Sequence, residues 1–223
     1  MALIVERSMH PSWLSNAFVL ADESGGTAVF IDSGAPLEPL LQVVERERLT
    51  PTHLLVTHGH ADHVAGNDEL VERFGIEVTS GGVETGGLRI QSLATPGHSD
   101  DGVSFAVGDL CFTGDTLFRD AVGGGPADEV RRSVMDVLMT LPHDLRVLPG
   151  HTDETTIGRE WEENPFVRFW RGIDAEDGRP CRVHGDDATL VVWSPDYDGK
   201  GKALVRFADG AEAIVGASRI AGL

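Results

Sequence analysis

The sequence predicts a mixed α/β protein in which a longer N-terminal part is followed by a small β-rich C-terminal part. Short apolar runs typical of strands alternate with segments whose apolar residues recur at helical spacing. The chain has 223 residues, of which 41% are hydrophobic and 24% are charged. Such a chain can bury a full core, and wholesale disorder is excluded. Because the composition changes near Gly172, we place a boundary between residues 1–172 and 173–223.

The first quarter of the chain is expected to hold four strands and one helix. Candidate strands lie at residues 3–5, 17–21, 27–31 and 53–57. The Gly25-Gly26 pair predicts a hairpin between the second and third strands. The helix, which we expect Pro51 to end, has the i, i+3, i+4, i+7 apolar spacing of Leu37, Leu40, Leu41 and Val44.

The next segments alternate in the same way. A helix is expected from about Asp62 to Phe74, and residues 76–113 are expected to be β-rich. Pro126 suits the first turn of a further helix, which Pro142 should end. A strand at 146–148 and a helical segment at 153–172, broken at Asn164-Pro165, follow. The last part has β runs at 189–193, 203–207 and 213–215, and it resembles a small SH3-like barrel.

Charge and composition exclude several classes of function. Lys and Arg number 18 and Asp and Glu number 36, which gives a formal net charge of −18. This charge disfavours nucleic-acid binding. We see no apolar run long enough for a membrane span and no signal-peptide start. Two cysteines, Cys111 and Cys181, are too few for a disulfide framework. We therefore expect a cytoplasmic protein with a small-molecule substrate; the oligomeric state is left open.

The segment Thr-His-Gly-His-Ala-Asp-His at residues 57–63 is the strongest chemical signal. It follows a predicted buried strand and opens a predicted helix. His58 and His60 are two positions apart, so an extended or turning backbone directs both imidazoles to one side. Asp62 and His63 stand at the helix start, where they can face the same cavity. Imidazole and carboxylate are ligands for zinc or iron, and two adjacent ligand pairs suit two adjacent cations.

Three further loops each carry one residue able to bind a metal. Each loop follows a predicted strand and contains a glycine, which lets the backbone turn sharply at the strand end. The residues are His98, Asp115 and His151. Since functional side chains gather where strands end, we expect these loops to converge on residues 57–63.

This pattern resembles the signature of the metallo-β-lactamase superfamily, which is a T-H-x-H-x-D-H loop followed by a His, an Asp and a last His. The resemblance covers residues 1–172. Within the superfamily, T-G-D-T-L-F at 113–118, P-G-H at 149–151 and N-P-F at 164–166 are most similar to the glyoxalase II-type thioesterases and their short relatives. The resemblance implies a four-layer αβ/βα sandwich, with two mixed sheets face to face and helices outside.

The resemblance also implies a binuclear centre. One metal would be held by His58, His60 and His98, the second by Asp62, His63 and His151, and Asp115 would bridge them. Zinc is the expected metal, with iron or manganese as alternatives. Two cations lower the pKa of a shared water, so a bridging hydroxide would attack an acyl carbon, oriented by Asp62 or Asp115.

A thioester of a low-molecular-weight thiol is the expected substrate. The thiol itself is left open, because this chain has a short β tail where glyoxalase II has a helical domain with basic residues. Two alternatives to this hydrolase are a persulfide dioxygenase with one iron and a non-catalytic metal-binding module. Asp32 is either a support for the ligand loop or a plain turn residue. The remaining histidines are interpreted as structural, namely His10, His53, His143 and His184.

Overall fold

The computed structural model describes residues 3–222, and its first sheet has five strands. The strands are β1 (Ile4–Met9), β2 (Asn16–Ala21), β3 (Thr27–Ile31), β4 (Thr50–Leu55) and β5 (Glu77–Thr79), in that order across the sheet. β1 to β3 form an antiparallel meander through the predicted hairpin, whereas β3, β4 and β5 are parallel. All six residues of β2 are buried, because both faces of this strand are covered.

The second sheet has six strands, all of which precede the last two helices in the chain. They are β6 (Val83–Thr85), β7 (Leu88–Ala94), β8 (Val103–Val107), β9 (Leu110–Gly114), β11 (Arg146–Pro149) and β12 (Thr155–Thr156). β9 and β11 are parallel, and β8 runs antiparallel to both β7 and β9. Strands β7, β9 and β11 therefore end at the same edge.

Six helices cover the outer faces of these two sheets. They are α1 (Glu38–Arg46), α2 (Ala61–Val64), α3 (Asn67–Phe74), α4 (Ala127–Arg132), α5 (Ile157–Glu163) and α6 (Pro165–Trp170). The side chains of β2 alternate between the two layers that cover this strand. Ala17 and Val19 pack towards α1 and α3, while Phe18 and Leu20 pack between the sheets. There Phe18 meets Phe112 edge to face at 5.1 Å. The predicted sandwich of two sheets with helices outside is confirmed.

Three predicted helices differ in detail from the structure, although two of them keep their expected outer limits near 62–74 and between Pro126 and Pro142. The helix expected at 62–74 is divided into α2 and α3, because the Gly66 N–H donates to Ser33 O at 3.1 Å and does not continue the helical hydrogen bonds. α1 ends at Arg46, and Arg48 has a left-handed backbone with φ 54°, so Pro51 lies inside β4 instead of ending the helix. After α4 the chain continues as a π-helical turn at Ser133–Val137 and a 3₁₀ turn at Leu138–Thr140.

The C-terminal part forms a third, antiparallel sheet that includes a strand from the preceding part. Its strands are β10 (Gly125–Pro126), β13 (Pro180–Val183), β14 (Asp186–Ser194), β15 (Lys202–Phe207), β16 (Glu212–Gly216) and β17 (Ile220–Ala221). Val191, Leu204 and Ile214 of this sheet share one hydrophobic cluster with Val130 and Phe166. The boundary near 172 and the SH3-like description stay predictions, and the expected outer limits, 1 and 223, lie outside the described residues. Within residues 3–222 we find no helix with both the length and the apolar character that a membrane crossing requires.

Candidate metal centre

All seven predicted ligand side chains lie together at one edge of the sandwich. The 57–63 loop follows β4, His98 follows β7, Asp115 follows β9 and His151 follows β11. Their ligand atoms form overlapping sets, with the atoms of each set within 4.8 Å of one another: His58, His60 and His98; His58, His63 and Asp115; and Asp62, His63 and His151. We call the first set the three-histidine group and the last set the mixed group.

The three-histidine group directs three ring nitrogens at one point. His60 Nδ1 lies 3.0 Å from His58 Nε2 and 3.1 Å from His98 Nε2. Burial lowers the pKa of His58 to about 4 and also lowers the pKa of His98. Neutral imidazoles offer lone pairs, which is the form in which histidine binds a metal.

Neighbouring groups determine which ring nitrogen of His58 and of His98 carries no proton. His98 Nδ1 lies 3.0 Å from the Gly124 carbonyl oxygen, which can only accept, so Nδ1 carries the proton. Thr57 Oγ1 donates to Asp32 at 2.8 Å and is therefore left as an acceptor for His58 Nδ1 at 3.1 Å. In both rings the Nε2 lone pair consequently faces the centre.

The mixed group contains one carboxylate and two histidines. Asp62 Oδ2 lies 3.4 Å from His151 Nε2 and 3.8 Å from His63 Nε2. Burial opposes a charge on His63, but Asp32 and Asp115 outweigh it and raise the pKa of His63 to about 11. For His151, burial is outweighed by Asp115 and Asp62, which raise its pKa to about 9. Without a cation this group holds protons, and a bound cation would take their place.

Asp115 stands between the two groups. Its Oδ2 lies 3.4 Å from His98 Nε2 and 3.3 Å from His151 Nε2, and its Oδ1 lies 3.3 Å from His63 Nε2. Burial alone would raise the pKa of Asp115, but the facing His151 and His63 hold it well below its usual range. The ionised carboxylate thus presents one oxygen or the other to each group.

The chemistry and burial of these residues fit the binding of a divalent metal. Among residues 3–222, His63 Nε2 and Asp115 Oδ1 are buried without a hydrogen-bond partner. Leaving a buried polar atom unpaired costs about 1–3 kcal/mol, and a cation between the two atoms would satisfy both. Gly150 keeps this space free, because a Cβ there would collide with the Asp115 carboxylate and lie 2.7 Å from the His63 ring. The donor set of nitrogens and carboxylate oxygens suits zinc, iron or manganese.

Asp32 is a support for the ligand loop, one of the two roles that the sequence left open. The carboxylate is buried, and it accepts hydrogen bonds from Thr57 N and Thr57 Oγ1 at 2.8 Å each. His63 Nδ1 lies 2.8 Å from its Oδ2. Because Nδ1 donates to this carboxylate, Nε2 of His63 is left to face the centre.

Asn16 also supports the centre, and the sequence analysis missed it. Its side-chain amide donates to the carbonyl oxygens of Pro149 at 2.9 Å and Thr152 at 2.8 Å. Its backbone N–H donates to Gly150 O at 2.6 Å. These bonds hold the loop that carries His151. The only signal was a polar residue directly before the apolar run at 17–21.

Tyr197 is a second residue that the sequence analysis missed, and it comes from the C-terminal sheet. It lies on the loop between β14 and β15, and its ring stacks on His151 with centroids 4.1 Å apart. Burial, together with the nearby carboxylates of Asp115 and Asp196, raises the pKa of the Tyr197 hydroxyl.

The other predicted structural residues lie away from these ligands. His10 stacks on Trp13, and His53 Nδ1 lies 2.9 Å from Thr52 Oγ1. Cys111 is fully buried in the core, and burial raises the pKa of its thiol to about 12. A buried thiol of this kind is inert.

Comparisons with known proteins point the same way as the geometry. A family model described as metallo-beta-lactamase superfamily matches residues 11–84. The chain is 30% identical to the probable metallo-hydrolase YqgX of Bacillus subtilis, over 67% of this chain and 90% of that protein. It is 26% identical to the hydroxyacylglutathione hydrolase GloC of Haemophilus influenzae, over 68% of this chain and 92% of that protein.

Solved structures of several differently named proteins share this fold. The structure of ETHE1 from Myxococcus xanthus superposes with a TM-score of 0.66 at 31% identity, covering 78% of this chain and 92% of that one. TTHA1623 in a di-iron-bound form gives 0.61 at 30% identity, covering 71% and 98%. The BLEG-1 B3 metallo-beta-lactamase gives 0.68 at 26% identity, covering 74% and 99%.

Proposed function

The chain belongs to the metallo-β-lactamase superfamily, and from this premise we propose that it is a binuclear metal-dependent hydrolase of thioesters. The acyl group would be carried by a low-molecular-weight thiol. The similarity to metallo-hydrolases supports a hydrolytic activity that depends on metal. The number of metals, the substrate and the role of each ligand are part of our proposal.

The position of Asp115 is the observation that supports a centre with two metal ions. One carboxylate faces His98 of the three-histidine group and both histidines of the mixed group at 3.3 to 3.4 Å. A centre for one cation would need only one of these groups. Two complete groups that share one buried carboxylate favour two cations held side by side.

A sequence motif and the similarity to GloC support a thioester as the substrate. Residues 113–118, Thr-Gly-Asp-Thr-Leu-Phe, resemble the corresponding stretch of glyoxalase II-type thioesterases. The similarity to GloC, a hydroxyacylglutathione hydrolase by name, extends over 92% of that protein. We do not propose glutathione itself as the carrier, because the C-terminal part here is a β-sheet.

Two divalent cations held by these groups would supply a nucleophilic hydroxide at neutral pH and draw charge from the acyl oxygen. The chain's own residues would orient the reactants. The Asp62 side chain is 29% exposed, whereas that of Asp115 is 7% exposed. Asp62 is therefore placed to orient the attacking water and to hold its proton. Asp115, buried and ionised, would keep its oxygens directed at the two groups.

Thiol release from a panel of thioesters tests this proposal. The panel contains S-acyl derivatives of glutathione, of cysteine and of a pantetheine-type thiol, with an oxygen ester and a β-lactam for comparison. We expect cleavage of at least one thioester by the zinc-loaded protein. His58→Ala and Asp115→Asn should each lower kcat/KM more than about 100-fold, because loss of a supporting residue alone costs about 10–100-fold.

His184→Ala is the matched control, since His184 is an exposed histidine in the turn between β13 and β14. It should retain the activity of the unmodified chain. A fully metal-loaded protein that cleaves none of the thioesters would overturn the proposed substrate class. Equal activity of His58→Ala and His184→Ala would overturn the proposed role of the centre.

An iron oxygenase acting on persulfides is the second candidate. TTHA1623, which is 30% identical to this chain, was solved in a di-iron-bound form, so a similar protein binds iron; it holds two irons, whereas this candidate needs one. Iron in the protein as purified, together with oxygen uptake on addition of a persulfide, would favour this reaction. Zinc without oxygen uptake would favour the hydrolase.

A further inference from the structure

His151 differs from the other buried histidines of the centre in how its ring is held. His63 Nδ1 faces Asp32, His58 Nδ1 faces Thr57 Oγ1 and His98 Nδ1 faces a carbonyl oxygen. His151 Nδ1, in contrast, is buried without a hydrogen-bond partner among residues 3–222. Metal-binding histidines are normally oriented by a hydrogen bond at their second nitrogen. Its Nε2 faces the carboxylates of Asp62 and Asp115 at 3.4 and 3.3 Å, but on the Nδ1 side no polar group within the described chain fixes the rotation of this ring.

Two aromatic rings enclose His151. Tyr197 stacks on it face to face, with centroids 4.1 Å apart and ring planes within 4° of each other. Phe118 meets the same imidazole edge-on at 5.9 Å. Phe118 also packs against Tyr197 at 5.6 Å and 68°. Rotation of the imidazole out of its plane would therefore collide with Tyr197 or break the stack.

The loop that carries Tyr197 is itself fixed by an ion pair. Lys202 Nζ lies 3.0 Å from Asp196 Oδ2, and these side chains are only 11% and 4% exposed. The same ammonium lies 5.7 Å from the Tyr197 ring centroid and 5.8 Å from that of Phe118, within cation–π distance. The pair thus ties the two ends of the 196–202 loop together and holds Tyr197 in place.

We propose that Tyr197 is a positioning residue for His151, so that the C-terminal sheet completes the mixed group of the metal centre. The aromatic face of Tyr197 takes the role that a hydrogen-bond acceptor has for His58, His63 and His98. The inference rests on the proposed function in one respect, namely that His151 binds a metal. Its structural basis, the ordering of the His151 ring, does not depend on a metal.

Tyr197→Leu and Tyr197→Phe separate the ring from the hydroxyl. The leucine variant removes the aromatic face, whereas the phenylalanine variant keeps it. Phe207→Leu is the matched control, because it makes an aromatic-to-leucine change on the same sheet, in the separate cluster around Leu190 and Val205. Thermal unfolding of all three variants reports whether the fold is retained.

The first readout is the histidine-ring NMR spectrum of the metal-free protein. We expect one narrow, ring-current-shifted set of His151 signals in the unmodified chain, in Tyr197→Phe and in Phe207→Leu. Tyr197→Leu should broaden or split the His151 signals and leave those of His63 unchanged. Narrow and unsplit His151 signals in Tyr197→Leu would overturn the proposal.

The second readout is zinc affinity by competition with a chelator. Tyr197→Leu should weaken binding of the zinc ion in the mixed group (the second zinc) about 10–100-fold, as loss of a supporting group does. Binding of the zinc ion in the three-histidine group (the first zinc) should be unchanged. Tyr197→Phe should bind both ions like the unmodified chain. An equal loss in Tyr197→Phe would assign the effect to the hydroxyl and contradict the proposal.

The two proposals can fail separately. If the unmodified chain takes up only one zinc, the binuclear function fails, and the metal-free spectra still decide whether Tyr197 orders His151. If it takes up two and Tyr197→Leu does so with unchanged affinity, the positioning role fails while the binuclear centre stands.

Discussion

The two halves of the candidate metal centre share the 57–63 loop but differ in chemistry. The three-histidine group offers neutral nitrogens, with the pKa of His58 lowered to about 4. The mixed group combines the Asp62 carboxylate with two histidines whose pKa values are raised to about 11 and about 9. An all-nitrogen set and a mixed nitrogen and oxygen set differ in the metals they prefer.

The supports of the two halves differ as well. His58 and His98 are oriented by the Thr57 hydroxyl and the Gly124 carbonyl oxygen. The mixed group depends on the Asp32 carboxylate and on the Asn16 bonds to the His151 loop. A single short motif can thus contribute to two ligand sets only because separate parts of the chain orient each set. Substitutions of these supports should therefore affect the halves unequally.

Asp32→Asn should have the largest effect, because Asp32 contacts both halves through Thr57 and His63. Breaking a buried charge pair by removing one partner costs about 3–5 kcal/mol. We expect a loss of this size in the free energy of unfolding, measured by urea, and weakening of both zinc ions about 10–100-fold.

Asp22→Asn is the matched control for this prediction. Asp22 is also a buried carboxylate, and it accepts backbone hydrogen bonds from Glu23, Thr27 and Gly87 outside the centre. This variant should lose stability without losing zinc. If both variants bind zinc like the unmodified chain, Asp32 does not support the centre.

Gly150→Ala should have the next largest effect. It should disrupt the mixed group and displace the Asp115 carboxylate that stands between the two groups. The new Cβ would collide with the Asp115 carboxylate and press on the His63 ring. Overpacking of this kind costs about 1–3 kcal/mol. Elemental analysis should find the second zinc lost. Gly216→Ala is the control, because the nearest atom to its Cβ is 3.7 Å away; zinc retained by both variants would contradict the geometry.

Asn16→Ala should weaken the mixed group alone. It removes the two side-chain bonds to Pro149 O and Thr152 O, each worth about 0.5–1.5 kcal/mol. We expect the second zinc to bind about 10-fold more weakly, with the first zinc unaffected, in a chelator competition. Equal weakening of both ions would mean that Asn16 acts on the whole sandwich edge and not on the His151 loop.

Thr57→Val should have the smallest effect and should act mainly on the three-histidine group. It removes the hydroxyl that accepts from His58 Nδ1 and donates to Asp32, while His98 keeps its Gly124 acceptor. A loss of about 1 kcal/mol in stability should accompany a weaker first zinc, measured by the same competition. A larger effect on the second zinc than on the first would contradict the assignment of Thr57 to the three-histidine group.

Most of the sandwich and the convergence of the seven ligand residues could be predicted from the sequence. Apolar periodicity marks most strands and helices, and each ligand-bearing loop follows a strand, while the sandwich arrangement was implied by the resemblance to the superfamily signature. The gathering of His98, Asp115 and His151 on the 57–63 loop follows from the rule that strand ends carry functional side chains. The structure brings these residues together as expected.

Apart from Asp32, for which the sequence offered support of the ligand loop as one of two roles, the supports could not be predicted, because they depend on contacts distant in the sequence. Asn16 bonds to residues more than 130 positions away, and nothing local distinguishes it from a strand-edge asparagine. Tyr197 reaches His151 only because the third sheet packs on the helices of the sandwich. The break between α2 and α3 likewise depends on the close approach of Gly66 to Ser33, which no helical spacing reveals.

The metal content of the protein purified without added metal tests the central claim most directly. Elemental analysis of the unmodified chain and of Asp115→Asn would be made side by side. Our account predicts two divalent ions per chain, most of them zinc, and loss of at least one ion when the bridging carboxylate is replaced. A single ion per chain after saturation with zinc, unchanged in Asp115→Asn, would contradict it.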